Sequence, residues 1–580
     1  MSDTEIYQAG IVSRATEAEA DPITTEIMRH ALISAADEMR IALCRTAFSP
    51  TIYEVLDFAC ALYDKQIRLL GQAPGLPIFL GSLSFCVEAV IRAQGGPEKL
   101  EPGDILLTTY GYDTGAHSQD AALVMPVFLE DNLIGYSVIK AHWPDIAAKE
   151  PYCSDTTDNF QEGTIYPGIK LYRRGEIDTE MYRLILANSR FPIWLAGDFN
   201  AQTAGVRAGA AAMARLVSRY GQDAFEASVE RLLDHGEATV RRLLEAIPDG
   251  QYVGHGIMDN NGVTDDSIPF EVAIEITGSD VLLDFSNAPP QQPGPINCPL
   301  PSTVAAARIA IAALAGVGAS SNEGHFRSIS VKVRRGTLFY PIAPAPLFLY
   351  AWPMLQAIEV IYQALGEAAP DLVPACSAGD ICGIVWWGWT ADGKPWSGQG
   401  PHPIGLGASN RADGANALMH IGLAGSRETP AEVLEALNPV IVERMELAQD
   451  SGGPGRFRGG LGVDLHLHML SDVYMTATFE RTKNPGWGLL GGGTGRRNHL
   501  LVRYPDGSYK EYIKVTALHL PADSVIEFHT GGGGGHGSAN ERSIQAVLDD
   551  IRGGYISEVQ AAADYPHAVQ QAAAPELIGR

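Results

Sequence analysis

The chain has 580 residues, 46% of them hydrophobic and 19% charged, with a formal net charge of −26. That length exceeds one compact core and implies about two to four domains. So acidic a balance excludes the basic face that a nucleic-acid partner requires, and no apolar run reaches the roughly 18 residues of a membrane span.

Met1–Ala20 is polar and acidic, lacks the apolar segment of a secretory leader, and is expected to be a flexible arm. Seven cysteines are scattered without a Cys-x-x-Cys pair, which fits buried thiols and a cytoplasmic location. Asp21-Pro22 opens a helix, with Asp as cap and Pro at its first position. Ile23, Ile27, Ala31, Ala35, Met39 and Leu43 carry its apolar stripe to about Thr46. Phe58–Tyr63 is a buried strand, and Asp57 stands at its entrance, either facing a cleft or capping a turn. Gln72–Ser82, with two prolines, is a shaped loop. A helix follows over Leu83–Ala93, and a short strand over Leu106–Tyr110.

The stretch from Asp113 to Asp145 holds two His-x-x-Asp units, His117/Asp120 and His142/Asp145, 25 residues apart. Ala121–Phe128 and Leu133–Lys140 are predicted strands, turning at Glu130-Asp131-Asn132. A hairpin there brings its outer ends together and gathers imidazoles and carboxylates at one place. That donor set suits zinc, manganese or iron(II). A lone histidine ahead of a strand is more often a satisfied polar residue, and both readings stand on spacing alone.

Further along, Gly168–Tyr172 is a strand. Two long helices follow, Met181–Tyr220 with breaks near Pro192 and Gly197, and Asp223–Ile247, whose Glu226, Glu230 and Arg231 form an ordinary solvated face. From Gly250 short alternating strands dominate, such as Ile268–Ile276 and Asp280–Phe285. They are interrupted by helices at Thr303–Ala315 and Leu355–Leu365 and by a proline-constrained loop, Pro341–Pro346. His466 and His468 share one side of a strand over Val463–Leu470; with no third ligand evident they describe a polar strand face. The last third contains glycine runs at Asp450–Gly462, Pro485–Gly495 and Gly531–Gly537. Such runs can present N–H groups to an anion, but tight corners in a β-rich domain are the commoner use. No P-loop lysine, nucleophile elbow or dinucleotide-binding unit accompanies them.

The expected fold is α+β. A flexible arm (1–20) precedes a mixed metal-binding region with long helices (21–250), a β-rich region with Gly-rich loops (251–552), and a weakly ordered or partner-docked tail (553–580).

Several segments, taken in order, resemble the B-type chain of the hydantoinase/oxoprolinase family. They are Asp57-Phe-Ala-Cys-Ala-Leu-Tyr, Gly115-Ala-His117-Ser-Gln-Asp120, His142-x-x-Asp145, Asn159-Phe-Gln-Glu-Gly163, Gly197-Asp-Phe-Asn-Ala-Gln202, Gly294-Pro-Ile-Asn297, Asn322-Glu-Gly-x-Phe-Arg327 and the glycine runs. The resemblance implies one divalent metal, zinc first and manganese or iron next, held by Asp57, His117, Asp120 and His142. Asp145 or Glu54 would support a ligand or accept a proton. It also implies an A-type partner subunit that binds ATP and Mg, in an (αβ)2 assembly. The implied activity is ATP-dependent opening of a cyclic amide such as a lactam, hydantoin or oxoproline. The alternatives are a ketone-carboxylase subunit using bicarbonate, of the acetone or acetophenone type, and a scaffold subunit. The sequence departs from the family pattern in two places: Gln72–Leu80 lacks the usual histidines, and Thr109–Ala116 replaces the usual Asn-Asp-Pro-Tyr segment.

Overall fold

The computed structural model describes residues 3–379, 381, 383–390, 392–400 and 403–573. Its architecture is α+β, with four sheets among those residues. The sheet that positions the site has seven strands, all paired antiparallel. Their spatial order is Leu69–Gln72, Phe58–Asp64, Asn132–His142, Asp120–Leu129, Ile105–Thr108, Pro167–Arg173 and Glu176–Ile177. Both faces of this sheet are covered. Phe58, Cys60 and Leu62 pack with Met28, Met39, Phe199 and Met213 of the helices Pro22–Thr46 and Pro192–Tyr220. Ala59, Ala61 and Tyr63 point the other way, into a core shared with the helices Leu300–Leu314 and Ala351–Ala368. Burial on both sides explains why Phe58–Asp64 is apolar without alternation.

That second core runs from Ala9 to Leu423 and crosses the expected division at residue 250 without interruption. The composition does change there, because a five-stranded sheet begins: Gly250–Met258, Ile268–Thr277, Asp280–Asp284, Ile329–Arg334 and Thr4–Gln8. The packing does not divide. Thr4–Gln8 corrects the flexible arm, since it is the edge strand of this sheet, in register from Thr4 opposite Arg334 to Gln8 opposite Ser330.

Asp21 caps the first long helix, accepting from the Thr24 amide at 2.7 Å. Pro192 starts a new helix, as expected, but Gly197 does not break it. A Cβ at Gly197 would lie 2.1 Å from Cγ of Phe48, so the glycine permits close approach there. Glu230 is likewise not solvated. It is 1% exposed, accepts from Arg68 Nη1 at 2.6 Å and from the Ala15 amide at 2.6 Å, and so ties the N-terminal segment to the helix Gln222–Leu244. Glu230→Ala takes one of two carboxylates from the buried Arg68 guanidinium, which keeps Asp64 at 2.7 Å, and should cost about 1.5–3 kcal/mol. Denaturant titration checks this; a loss below about 1 kcal/mol would place Glu230 back on a solvated face.

The glycine runs are not corners. Among the glycines of Asp450–Gly462, Pro485–Gly495 and Gly531–Gly537, only Gly491 and Gly537 have positive φ. The runs lie backbone against backbone. Gly453 N donates to Gly533 O, Gly533 N to Gly460 O, and Gly535 N to Gly493 O, each at 2.9 Å. Every amide from Gly531 to Gly537 has an acceptor within the protein, which leaves none for an anion. The tail packs on this block. Helices Glu558–Asp564 and Pro566–Ala573 bury Tyr565, whose hydroxyl accepts from the Gly455 amide at 3.2 Å. Residues 574–580 of the expected tail lie outside the described residues, as does Cys382. No described helix is long and apolar enough to cross a membrane.

Candidate metal centre

The predicted hairpin forms from Asp120–Leu129 and Asn132–His142, turning through Glu130 at a φ of 55°. Its register sets Asp120 directly opposite His142 at the open end. Phe58–Asp64 pairs alongside, with Phe58 opposite Ala141, and the His142 amide donates to Asp57 O at 3.1 Å. Asp57 is thereby brought to the same end. His117 enters from a tight turn, in which the Asp120 amide donates to His117 O at 3.1 Å.

Asp120 is the hub. Its Oδ1 lies 3.0 Å from His117 Nε2 and 2.9 Å from His142 Nδ1, and its Oδ2 accepts from the Tyr350 hydroxyl at 3.1 Å. His117, Asp120 and His142 each offer a ligand atom within 4.8 Å of the others, and all three are buried. Asp57 stands outside that triad but lines the same cavity, together with Phe79, Tyr152, Phe348 and Tyr350. Burial pushes the Asp57 carboxyl up, opposed by His142 and reinforced by Asp120. Burial also pushes Asp120 up, but the two imidazoles outweigh it and hold that carboxyl well below the usual range.

These residues fit a divalent ion. Asp57 Oδ1 and His117 Nδ1 are buried without a hydrogen-bond partner, and an orphaned buried polar atom calls for an explanation such as an ion. Two imidazoles converge on one carboxylate oxygen at about 3 Å, close to the ligand spacing around one zinc-sized ion. Mixed nitrogen and oxygen donors suit zinc, manganese or iron.

Asp145 is placed elsewhere. Its oxygens accept from the Arg190 amide at 2.6 Å and from Arg190 Nη1 at 2.8 Å, which ties the segment after His142 to the entrance of the helix Pro192–Tyr220. Glu54 closes the short helix Pro50–Tyr53 and is absent from the cavity lining. The other sequence motifs hold the centre from outside. Gln202 takes the Trp143 indole N–H at 3.0 Å and donates to Ala121 O and Ile139 O, clamping both hairpin strands. Asp198 accepts from the Phe48 and Ser49 amides at 2.8 and 2.9 Å, fixing the segment that leads to Asp57. Glu162 accepts from the Leu347 and Phe348 amides at 2.7 and 2.8 Å and from Thr156.

Phe348 and Tyr350 carry no motif that spacing could single out. The Phe348 ring meets His117 edge-on at 4.8 Å between centroids, and Tyr350 holds Asp120 from 230 positions away. The only sequence signal is the rigid Pro341–Pro346 loop just ahead of them.

The hydantoinase B/oxoprolinase family model matches residues 21–539. The beta chain of the caprolactamase of Pseudomonas jessenii is 31% identical over 558 residues, 93% of this chain and 94% of that one. The B-type chain of a putative D-/L-hydantoinase of Pseudomonas sp. (strain NS671) is 28% identical over 565 residues, 94% and 95% of the two chains. The crystal structure of ATP-dependent caprolactamase from Pseudomonas jessenii superposes with a TM-score of 0.88 at 28% identity, covering 94% of this chain and 96% of that one. The match spans the hairpin, the helices that clamp it and the glycine block alike, and the chain belongs to the hydantoinase B/oxoprolinase family.

Proposed function

We propose that this chain is the metal-binding component of an ATP-dependent cyclic amide hydrolase, acting with an A-type ATPase subunit in an (αβ)2 assembly. The observation that carries this reading is the buried His117–Asp120–His142 triad, with Asp57 beside it, in a cavity walled by Phe79, Tyr152 and Phe348. The relatives support the reaction class, since one is an ATP-dependent caprolactamase and another a chain of a putative hydantoinase. An unstrained amide is a poor electrophile, and ATP on the partner subunit would activate its oxygen. His117, Asp120, His142 and Asp57 would hold zinc, or else manganese or iron. A divalent ion held there would supply Lewis acidity and lower the pKa of water toward neutrality.

This chain's own residues do the rest. Tyr350 donates to Asp120 Oδ2 and keeps the other oxygen turned toward the imidazoles. The aromatic walls exclude bulk water and orient a small ring. Asp57 Oδ1, buried without a hydrogen-bond partner at the cavity wall, is the atom free to complete that ligand set. Arg190 keeps Asp145 occupied, so Asp145 serves as a positioning residue rather than a proton acceptor.

His142→Ala should bind one metal equivalent fewer per chain than wild type and retain under about 1% of lactam-opening activity with the partner and ATP. Elemental analysis and product assays on a panel of lactams, hydantoins and 5-oxoproline check this. Full turnover by a variant lacking that equivalent would reject the metal role. Incorporation of labelled bicarbonate into product would replace hydrolysis by carboxylation.

A further inference from the structure

The solvent-facing side of the C-terminal sheet gathers a second set of metal-capable side chains. In the strand Val463–Met469, Leu465, Leu467 and Met469 enter the core, which turns Asp464, His466 and His468 to the other face. In the neighbouring strand Val525–His529, Ile526 and Phe528 are core, and Glu527 and His529 turn outward. The antiparallel register sets His466 opposite Glu527 and Asp464 opposite His529. His466, Glu527 and His529 each bring a ligand atom within 4.8 Å of the others. His468 is not part of this group; it lies between Glu443 at 3.3 Å and Asp523 at 3.2 Å. The polar strand face expected from the sequence thus holds one histidine, His466, that meets two residues some 60 positions away.

We infer that His466, Glu527 and His529 form a second divalent-metal site, for zinc or an ion of similar donor preference, distinct from the hairpin centre. Three features point to a ligand rather than to a merely polar face. His466 Nε2 is buried and has no hydrogen-bond partner. His529 Nδ1 is held by Asp464 Oδ1 at 2.8 Å, and that same oxygen accepts from Arg496 Nη2 at 2.9 Å. A carboxylate on one ring nitrogen fixes the tautomer and leaves the other nitrogen bare for a metal, the arrangement that orients metal-binding histidines. Arg503 Nε holds Glu527 Oε1 at 3.3 Å, and Glu527 Oε2 lies 4.0 Å from His529 Nε2. A tetrahedral zinc spaces its ligand atoms at about 3.4 Å, so a small side-chain rotation closes the set. Two imidazoles and one carboxylate leave a fourth position for water, which makes this an exchangeable site.

The test is zinc titration of the full chain after chelator stripping, read by elemental analysis and by the visible absorption of the cobalt-loaded protein. Wild type should take two equivalents. His142→Ala, and separately His466→Ala, should each take one, and the two combined should take none. Glu527→Gln and His529→Gln, which preserve side-chain size on an outward face, should weaken the second equivalent at least about 100-fold while the first stays unchanged. Unchanged two-equivalent binding by His466→Ala and His529→Gln would overturn the inference. So would a His142→Ala chain that binds no zinc. Because the two centres are removed by different substitutions, failure of the hairpin site and failure of this one give different stoichiometries.

Discussion

Gly459→Ala is expected to collapse the C-terminal half of the protein, although it adds a single methyl group at an ordinary φ. That methyl would sit 1.8 Å from the carbonyl oxygen of Gly533. The obstacle is backbone, and it is held in place: Gly533 O accepts from the Gly453 amide, and Gly533 N donates to Gly460 O. No rotamer change relieves such a clash, so whole segments must part. Overpacking in side-chain cores costs about 1–3 kcal/mol; here about 4 kcal/mol or more is expected, as loss of soluble protein or a fall in thermal midpoint of roughly 10 °C. Gly491→Ala is the control. Gly491 has a φ of 90° and open space around its Cβ position, so its replacement costs only the strain of a left-handed conformation, about 1 kcal/mol. Were the runs corners, Gly491 would be the sensitive position and Gly459 the tolerant one. Thermal and denaturant midpoints of the two variants decide between these orders.

What the sequence could reveal follows the same division between local and distant causes. The helix from Pro22 and the hairpin from Asp120 to His142 are legible because capping, a four-residue stripe and a polar turn are local signals. His117, Asp120 and His142 can be gathered from sequence because hairpin register joins Asp120 to His142 and a tight turn adds His117. Asp57 needs a third strand at its own register, which spacing cannot supply. Glu230 reads as solvated because its partner, Arg68, comes from 162 positions away. Thr4–Gln8 alternates too briefly to announce a strand and exists because Ile329–Arg334 offers an edge. The glycine runs mislead for a related reason. Glycine serves both positive φ and close approach, and only the positions of the other runs reveal which use applies.

Glu162→Ala should remove most catalytic activity while leaving the metal in place. Glu162 is 1% exposed and touches none of His117, Asp120 or His142. One of its oxygens collects the Thr156 hydroxyl and the Leu347 and Phe348 amides, which fixes the turn that delivers Phe348 against His117 and Tyr350 onto Asp120. Alanine orphans three buried donors at about 1–3 kcal/mol each, partly recovered by relaxation, and frees that turn. A fall in kcat of at least about tenfold with unchanged metal content is expected. Glu162→Gln keeps an acceptor oxygen and should restore activity at neutral pH; Gln behaving like Ala would show that charge rather than position matters. The pH dependence supplies a second readout. Burial pushes the Glu162 carboxyl up to about 8, outweighing the three hydrogen bonds that favour the ionised form. Its folded pKa therefore exceeds its unfolded one, near about 4.3. Between those values the folded state holds a proton that the unfolded state has released, so this group's contribution falls as pH rises from about 4.3 to about 8. Gln cannot ionise and escapes that loss. The midpoint of Glu162→Gln relative to wild type should thus climb between about pH 5 and about pH 8.5, by an amount corresponding to a few kcal/mol. A flat difference across that range would mean that Glu162 is already charged in the folded protein, with its hydrogen bonds prevailing over burial.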